Sequence, residues 1–212
     1  MIVYGSSLSP YVRKTLAFAA EKGITVENLP AGMGGGPPEF KAASPFGKIP
    51  GFKDGEFLIS DSTAIVTYLE ALQPDPNLIP IEPKARARTV WYEEYADTIL
   101  VGAAGPMFFN RLVSPKFLGK PGDEAVAANA EANLLPPAVD YLERVMPTSG
   151  YLVEDRLTLA DIAVASPFVN LMHLGWNPSA ATHPKVTAYV ARMLARPSYA
   201  PWVAQEKAQL GG

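Results

Sequence analysis

The chain has 212 residues, a net charge of −3, 48% hydrophobic and 18% charged residues, and no cysteine. This is enough chain for two domains with cores of their own, and the composition excludes extensive disorder. Its 6 Lys and Arg against 8 Asp and Glu up to residue 80, and 12 against 13 beyond it, leave no basic stripe for nucleic acid, while the missing cysteines exclude disulfides, thiolate-ligated metals and a cysteine nucleophile.

Ile2 to Tyr4 predicts a short strand, read as part of the mature protein and not as a leader. No stretch reaches the roughly 18 apolar residues of a membrane span, so the expected compartment is the cytosol. After Gly5-Ser6-Ser7-Leu8, the sequence Ser9-Pro10 opens a helix carrying Val12, Leu16, Ala19 and Ala20 at helical spacing, stopped at Gly23. Ile24 to Leu29 predicts a second strand, and Ala31 to Pro38 a glycine- and proline-rich loop. That loop lacks the lysine and hydroxyl residue of a phosphate-binding P-loop. Ile49 to Phe52 and Glu56 to Ile59 predict two strands of a hairpin turning at Lys53-Asp54-Gly55. A helix opens at Asp61-Ser62, with Ile65, Tyr68, Leu69 and Leu72 on one face.

Residues 1–76 therefore predict a mixed α/β domain, and the proline-rich stretch 77–83 a linker. In 84–212 the segments Arg86–Phe109, Asp123–Val145, Leu159–Leu174 and Pro184–Leu194 follow a 3.6-residue period, which predicts an all-helical domain.

Three short elements are candidates for chemistry, each with a purely structural alternative. Ser9 is either a helix N-cap or a hydroxyl donating to a thiolate held at the positive end of a helix dipole. Lys48-Ile49-Pro50 is either an ordinary strand start or a cis-proline turn whose Ile49 backbone pairs with an extended peptide. Asp61 and Ser62 are either caps or a site for the ammonium and carboxylate of an amino acid. Thr158 and Asp161 predict a capping box on a buried helix.

Together, Ser9-Pro10-Tyr11, Lys48-Ile49-Pro50 and Asp61-Ser62, at these intervals, resemble the cytosolic glutathione transferase family over nearly the whole chain, in particular its serine-type classes such as tau and zeta and their bacterial relations. The resemblance implies a thioredoxin-like N-terminal domain with a mixed four-stranded sheet, an all-helical C-terminal domain and a homodimer. It implies glutathione as co-substrate, no metal, and conjugation of the glutathione thiolate to small apolar electrophiles. Ser9 would meet the sulfur, with Ser6 and Ser7 as alternatives. The Ile49 backbone, set by Pro50, would pair with the cysteinyl amide, Lys48 would lie towards the glycine carboxylate, and Asp61 and Ser62 would hold the γ-glutamyl end. Leu8, Tyr11, Tyr95, Ile99, Phe108, Phe109 and Arg111 are candidates to line the electrophile site, expected in a cleft between the domains. Two positions depart from the family pattern: Gly35 to Pro38 stand where a basic or amide residue is common, and Ser44-Pro45 where asparagine-proline is. Glutathione-dependent isomerisation or peroxide reduction, and a non-catalytic binder of the same fold, are the alternatives.

Overall fold

A computed structural model describes residues 1–211 as two compact units, the first made of Met1–Pro80 together with the segment from Arg196 onward, the second of Ile81–Ala195. The segment from Arg196 falls in the first unit, whereas the sequence reading grouped it with the helical range 84–212; Gly212, the last residue of that range, lies outside the described residues.

The first unit is built on four strands, β1 (Ile2–Tyr4), β2 (Glu27–Leu29), β3 (Gly51–Asp54) and β4 (Phe57–Ser60), in the order β2-β1-β3-β4. β1 pairs parallel with β2, with Tyr4 opposite Leu29, and antiparallel with β3, with Val3 opposite Phe52 and Tyr4 opposite Gly51. The β3–β4 hairpin closes with Asp54 opposite Phe57 across Gly55-Glu56, two residues later than the predicted turn.

Strand alternation decides which helix meets which face. Val3 and Phe52 are fully buried on one face, where the Phe52 ring lies 5.8 Å from Tyr68 of α3 (Ser62–Leu72). α3 packs beside α1 (Pro10–Glu21). Tyr4 and Gly51 face the other way, onto Phe40 of a six-residue helix α2 (Pro38–Ala43) that the sequence reading left as loop. Gly51 is required there, because a Cβ would stand 2.9 Å from the Phe40 ring.

The proline-rich stretch beyond α3 is fixed and not a loose tether. The carboxylate of Glu70 accepts from the Asn77 side chain at 2.8 Å and from the backbone N–H groups of Leu78 at 3.1 Å and Ile79 at 3.2 Å. It also pairs at 2.7 Å with Lys22, whose side chain is wholly buried and which donates in addition to Pro76 O at 2.5 Å.

The second unit is helical: α4 (Pro83–Glu94), α5 (Val101–Phe108), α6 (Ser114–Phe117), α7 (Glu124–Asn129), α8 (Leu135–Val145), α9 (Leu159–His173) and α10 (Pro184–Leu194). α9 is buried on every side from Leu159 to Leu171. The predicted capping box is present, Asp161 Oδ2 accepting from Thr158 N at 3.0 Å, and Oδ1 accepts from Leu152 N at 2.9 Å. Burial pushes the Asp161 carboxyl up to about 6 against those hydrogen bonds. The long predicted helices 86–109 and 123–145 are interrupted by π-helical stretches at Tyr95–Leu100, Phe109–Val113 and Ala130–Leu134. The last two precede Pro115 and the pair Pro136-Pro137, which lack the N–H groups a continuous α-helix would use. The last helix of the chain, α11 (Ala200–Leu210), lies in the first unit.

Glu70→Ala removes the carboxylate from a wholly buried ammonium and from two backbone donors. It is expected to destabilise the chain by about 3 kcal/mol, within the range for breaking a buried pair; an unchanged midpoint in urea denaturation would contradict the role given to Glu70.

Candidate active site

Sheet register gathers the candidate residues at one end of the first unit. β1 ends at Tyr4 opposite the start of β3 at Gly51, and Gly51 is opposite Ser60 at the end of β4. The loop to Ser9, the loop through Ile49-Pro50 and the turn through Asp61 therefore leave the sheet together. Gly5 sits between the first two: a Cβ on it would lie 2.6 Å from Val12 Cγ2 and 3.0 Å from Ile49 Cβ.

Ser9 precedes α1 with extended dihedrals, φ −76° and ψ 127°, and Pro10 is the first helical residue. Its hydroxyl makes no capping hydrogen bond. The N-cap reading of the sequence thus holds for the backbone of Ser9 and not for its side chain. Ser6 Oγ accepts from Leu8 N at 3.3 Å, and Ser7 is buried. Ser9 stands at the helix start, half-buried like Tyr11, whereas Ser7 is buried and Ser6 turns its oxygen to the Leu8 backbone.

The Ile49–Pro50 peptide bond is cis. Lys48 is exposed, and its carbonyl accepts from the buried Ser44 hydroxyl at 2.6 Å, while Gly47 N donates to Ser44 O at 2.9 Å. Ser44 thereby holds the turn that leads to Lys48. The preceding glycine loop folds as a tight turn, with Gly32 and Gly35 exchanging two 2.9 Å backbone hydrogen bonds around Met33-Gly34.

Asp61 caps α3, accepting from Thr63 N at 2.9 Å and Ala64 N at 3.1 Å. It does so with φ +82° and ψ 125°, a region unfavourable for any residue with a side chain. Ser62, next to it, is buried. An exposed aspartate held in a strained conformation at a helix start, beside a buried serine, is a pattern of functional sites.

The electrophile candidates divide between the units. Leu8 is buried and Tyr11 half-buried in the first. In the second, Ile99 and Phe109 are 46% and 49% exposed, and both lie in π-helical stretches. Phe108 is buried. Two candidates need correction. Tyr95 is a core residue, its hydroxyl donating to Ala138 O at 2.7 Å, its ring 5.3 Å from that of Tyr141, and its hydroxyl pKa raised by burial. Arg111 is engaged by Glu124 at 2.6 Å and Glu131 at 2.5 Å, ion pairs that tie its π-helical stretch to α7 and to the stretch Ala130–Leu134 and occupy its guanidinium. Among the described residues no cluster of His, Asp and Glu is placed to hold a metal ion, and no helix is long and apolar enough to cross a membrane.

The models of the glutathione S-transferase N-terminal and C-terminal domains match residues 3–77 and 109–206. A glutathione S-transferase of Hyoscyamus muticus is 31% identical over 205 residues, covering 94% of this chain and 95% of that protein. The chain belongs to the glutathione S-transferase family. A solved family structure from Rhodospirillum rubrum superposes with a TM-score of 0.86 at 26% identity, over 95% of this chain and 90% of its own. Another, glutathione S-transferase I bound with lactoylglutathione, superposes at 0.84 and 25% identity over 96% and 98%. The family makes this chain a glutathione-dependent enzyme, with glutathione as its co-substrate, and the first unit accounts for the N-terminal match.

Sequence reasoning missed α2 and α11. Arg13 and Lys14 are fully buried in α1, so each needs a partner within the fold, which the sequence does not name.

Asp61→Ala keeps the unfavourable dihedrals and loses both capping bonds, whereas Asp61→Gly loses the bonds and relieves the strain. The alanine variant is expected to cost about 2 kcal/mol and the glycine variant about 1 kcal/mol less than that. Equal losses on urea denaturation would remove backbone strain from the account of this site.

Proposed function

We propose that this glutathione transferase conjugates the glutathione thiolate to small apolar electrophiles in the cytosol, with Ser9 as the residue that meets the sulfur. The uncapped Ser9 hydroxyl at the start of α1, at the same end of the sheet as Ile49-Pro50 and Asp61-Ser62, carries this reading. The tripeptide would lie extended across that end. Its cysteinyl amide would pair with the Ile49 backbone on the turn made by Pro50, its glycine carboxylate would lie towards Lys48, and its γ-glutamyl group would meet Asp61 and Ser62.

A free thiol has a pKa near about 8.5, and only the thiolate attacks. A hydroxyl donating to the sulfur and the positive end of the α1 dipole favour the anion, so the bound thiol loses its proton at a lower pH. The sulfur lone pair then forms a bond to the electrophilic carbon; from a halide the leaving group departs with its electron pair, and in an unsaturated carbonyl the displaced π pair takes up a proton from water. No bond to the protein forms. On the first unit, Leu8 and Tyr11 supply apolar surface for the electrophile.

The functional unit proposed is a homodimer. Phe46, between Ser44 and Lys48, is 91% exposed, a state that a large apolar ring leaves on pairing with a second copy. Phe46→Glu is expected to convert a dimer to monomers in sedimentation velocity; a wild-type chain that sediments as a monomer would refute the assignment.

Ser9→Ala is expected to lower kcat about a hundredfold across a panel of aromatic halides and unsaturated carbonyls, as loss of one donor to a reacting anion does. The pH at which the bound thiol ionises should rise, and the variant should still be retained on immobilised glutathione. Full activity in Ser9→Ala would move the role to Ser7 or Ser6, and no turnover or retention by the wild type would end the transferase reading.

A further inference from the structure

The helix that follows Ser9 is gripped at both ends by the last segment of the chain. Arg13, in the second turn of α1, and Glu206, in the middle of α11, have side chains with no exposure at all. Arg13 Nε donates to Glu206 Oε1 at 3.0 Å and Nη2 to Oε2 at 2.8 Å, the two-pronged geometry of the strongest guanidinium–carboxylate pairs. At the other end of α1, Glu21 accepts from Arg196 Nε at 2.7 Å, Arg196 Nη2 at 2.9 Å and the Ser198 hydroxyl at 2.5 Å. Burial raises the Glu21 carboxyl, but Arg196 and Ser198 more than offset this and hold it below its usual range.

Glu206 is the buried residue of α11. The helix is thus anchored deepest through a charge, while Trp202, Val203 and Leu210 are only half-buried. Stability alone does not call for such an anchor, since apolar residues of similar volume commonly replace a buried ion pair at no cost. What the fork supplies instead is a fixed distance and angle between two helices. The position is passed on directly: Arg13 N donates to the carbonyl of Ser9 at 2.9 Å. From Glu206 the connection runs through one side chain and one backbone hydrogen bond to the serine itself. Behind it, Val12 and Ile49 close on Gly5, so a shift of α1 changes the spacing between Ser9 and the Ile49-Pro50 turn.

We propose that Glu206 is a positioning residue of the sulfur site. Through Arg13 it sets where the start of α1, and with it the Ser9 hydroxyl, stands relative to the bound thiol. The proposal rests on the assignment of Ser9 above. Glu206 itself touches no substrate, and its effect is on the ionisation and attack of the thiol more than on the capture of glutathione, which the Ile49, Asp61 and Ser62 contacts provide.

The double variant Arg13→Met/Glu206→Leu separates position from stability, because it replaces the pair with apolar groups of comparable size. Thermal melting and far-UV circular dichroism would establish its fold. With that fold intact, kcat at saturating glutathione is expected to fall ten- to a hundredfold, of the order that a misplacement of about 1 Å produces. The midpoint of the pH profile of kcat/KM should rise by about one unit, while KM for glutathione changes less than about threefold. Glu206→Asp, which keeps the charge on a shorter arm, should give an intermediate shift of the same sign, and it decides the matter should the double variant not fold. A folded variant with the wild-type kcat and pH profile would make the pair purely structural and overturn the proposal. Ser9→Ala is measured alongside. An impaired Ser9→Ala with normal clamp variants sinks only the positioning role, whereas a fully active Ser9→Ala removes the assignment of Ser9 and this inference with it.

Discussion

The register of three short strands governs where chemistry can occur in this chain. Because β1 and β4 run one way and β3 the other, Tyr4, Gly51 and Ser60 fall on one line at one end of the sheet. α1 and α3 both begin immediately beyond that line, so two helix N-termini and their partial positive charge converge there. A slip of one residue between β1 and β3 would put Val3 and Phe52 on opposite faces of the sheet and break the packing on both at once. The register is therefore held by burial, and the site inherits its geometry from the core. Gly51 shows the coupling most directly: the Phe40 ring lies on it, and the residue before it is Pro50.

Charge, buried and paired, does much of what apolar burial does in larger domains. A unit of this size has a limited apolar core. Around α1 it adds the pairs Arg13–Glu206, Glu21–Arg196 and Lys22–Glu70, each joining segments far apart in sequence. Lys22–Glu70 fastens the stretch leading out of α3, and the other two fasten the end of the chain. Such pairs add little net stability over apolar substitutes, but each tolerates only one geometry. They confer specificity of arrangement on helices that apolar contacts alone would allow to slide.

This explains which parts of the fold were legible in the sequence. β1, α1, the hairpin, α3 and α9 announce themselves through apolar periodicity, Asp-Gly turn chemistry and caps, and all are present. The mixed four-stranded sheet followed from the family resemblance, while its order was not read, since no local pattern places β1 between β2 and β3. α2 was hidden because its one deeply buried aromatic, Phe40, follows a run of glycines and two prolines, a composition read as loop. α11 was hidden for the opposite reason: periodicity counts apolar residues, and the residue that buries in α11 is a glutamate. The π-helical stretches leave no mark in a 3.6-residue pattern, although Pro115 and Pro136-Pro137 lie where two of them end. In the site, Ser9, Ile49-Pro50 and Asp61-Ser62 were legible as a set because their spacing is fixed by the strands between them. Tyr95 and Arg111 were misread because spacing along a helix gives a face and not the partner waiting on it, here Ala138 O for one and two glutamates for the other.

The role proposed for the Ser9 hydroxyl has a chemical consequence for the whole unit. At neutral pH it neither takes the thiol proton nor attacks, and what it offers is one hydrogen bond whose strength falls steeply with distance and angle. A histidine or lysine base would tolerate a looser placement, since Coulomb attraction decays slowly with separation. A site that relies on a hydroxyl and a helix start must therefore hold that helix start rigidly. α1 has the means: its first turn abuts Gly5 and Ile49, its second turn is forked onto Glu206, and its last residue is forked onto Arg196. The weaker the functional group, the more of the chain is needed to aim it, and with the roles proposed for Ser9 and Glu206 the aiming reaches from residue 9 to residue 206.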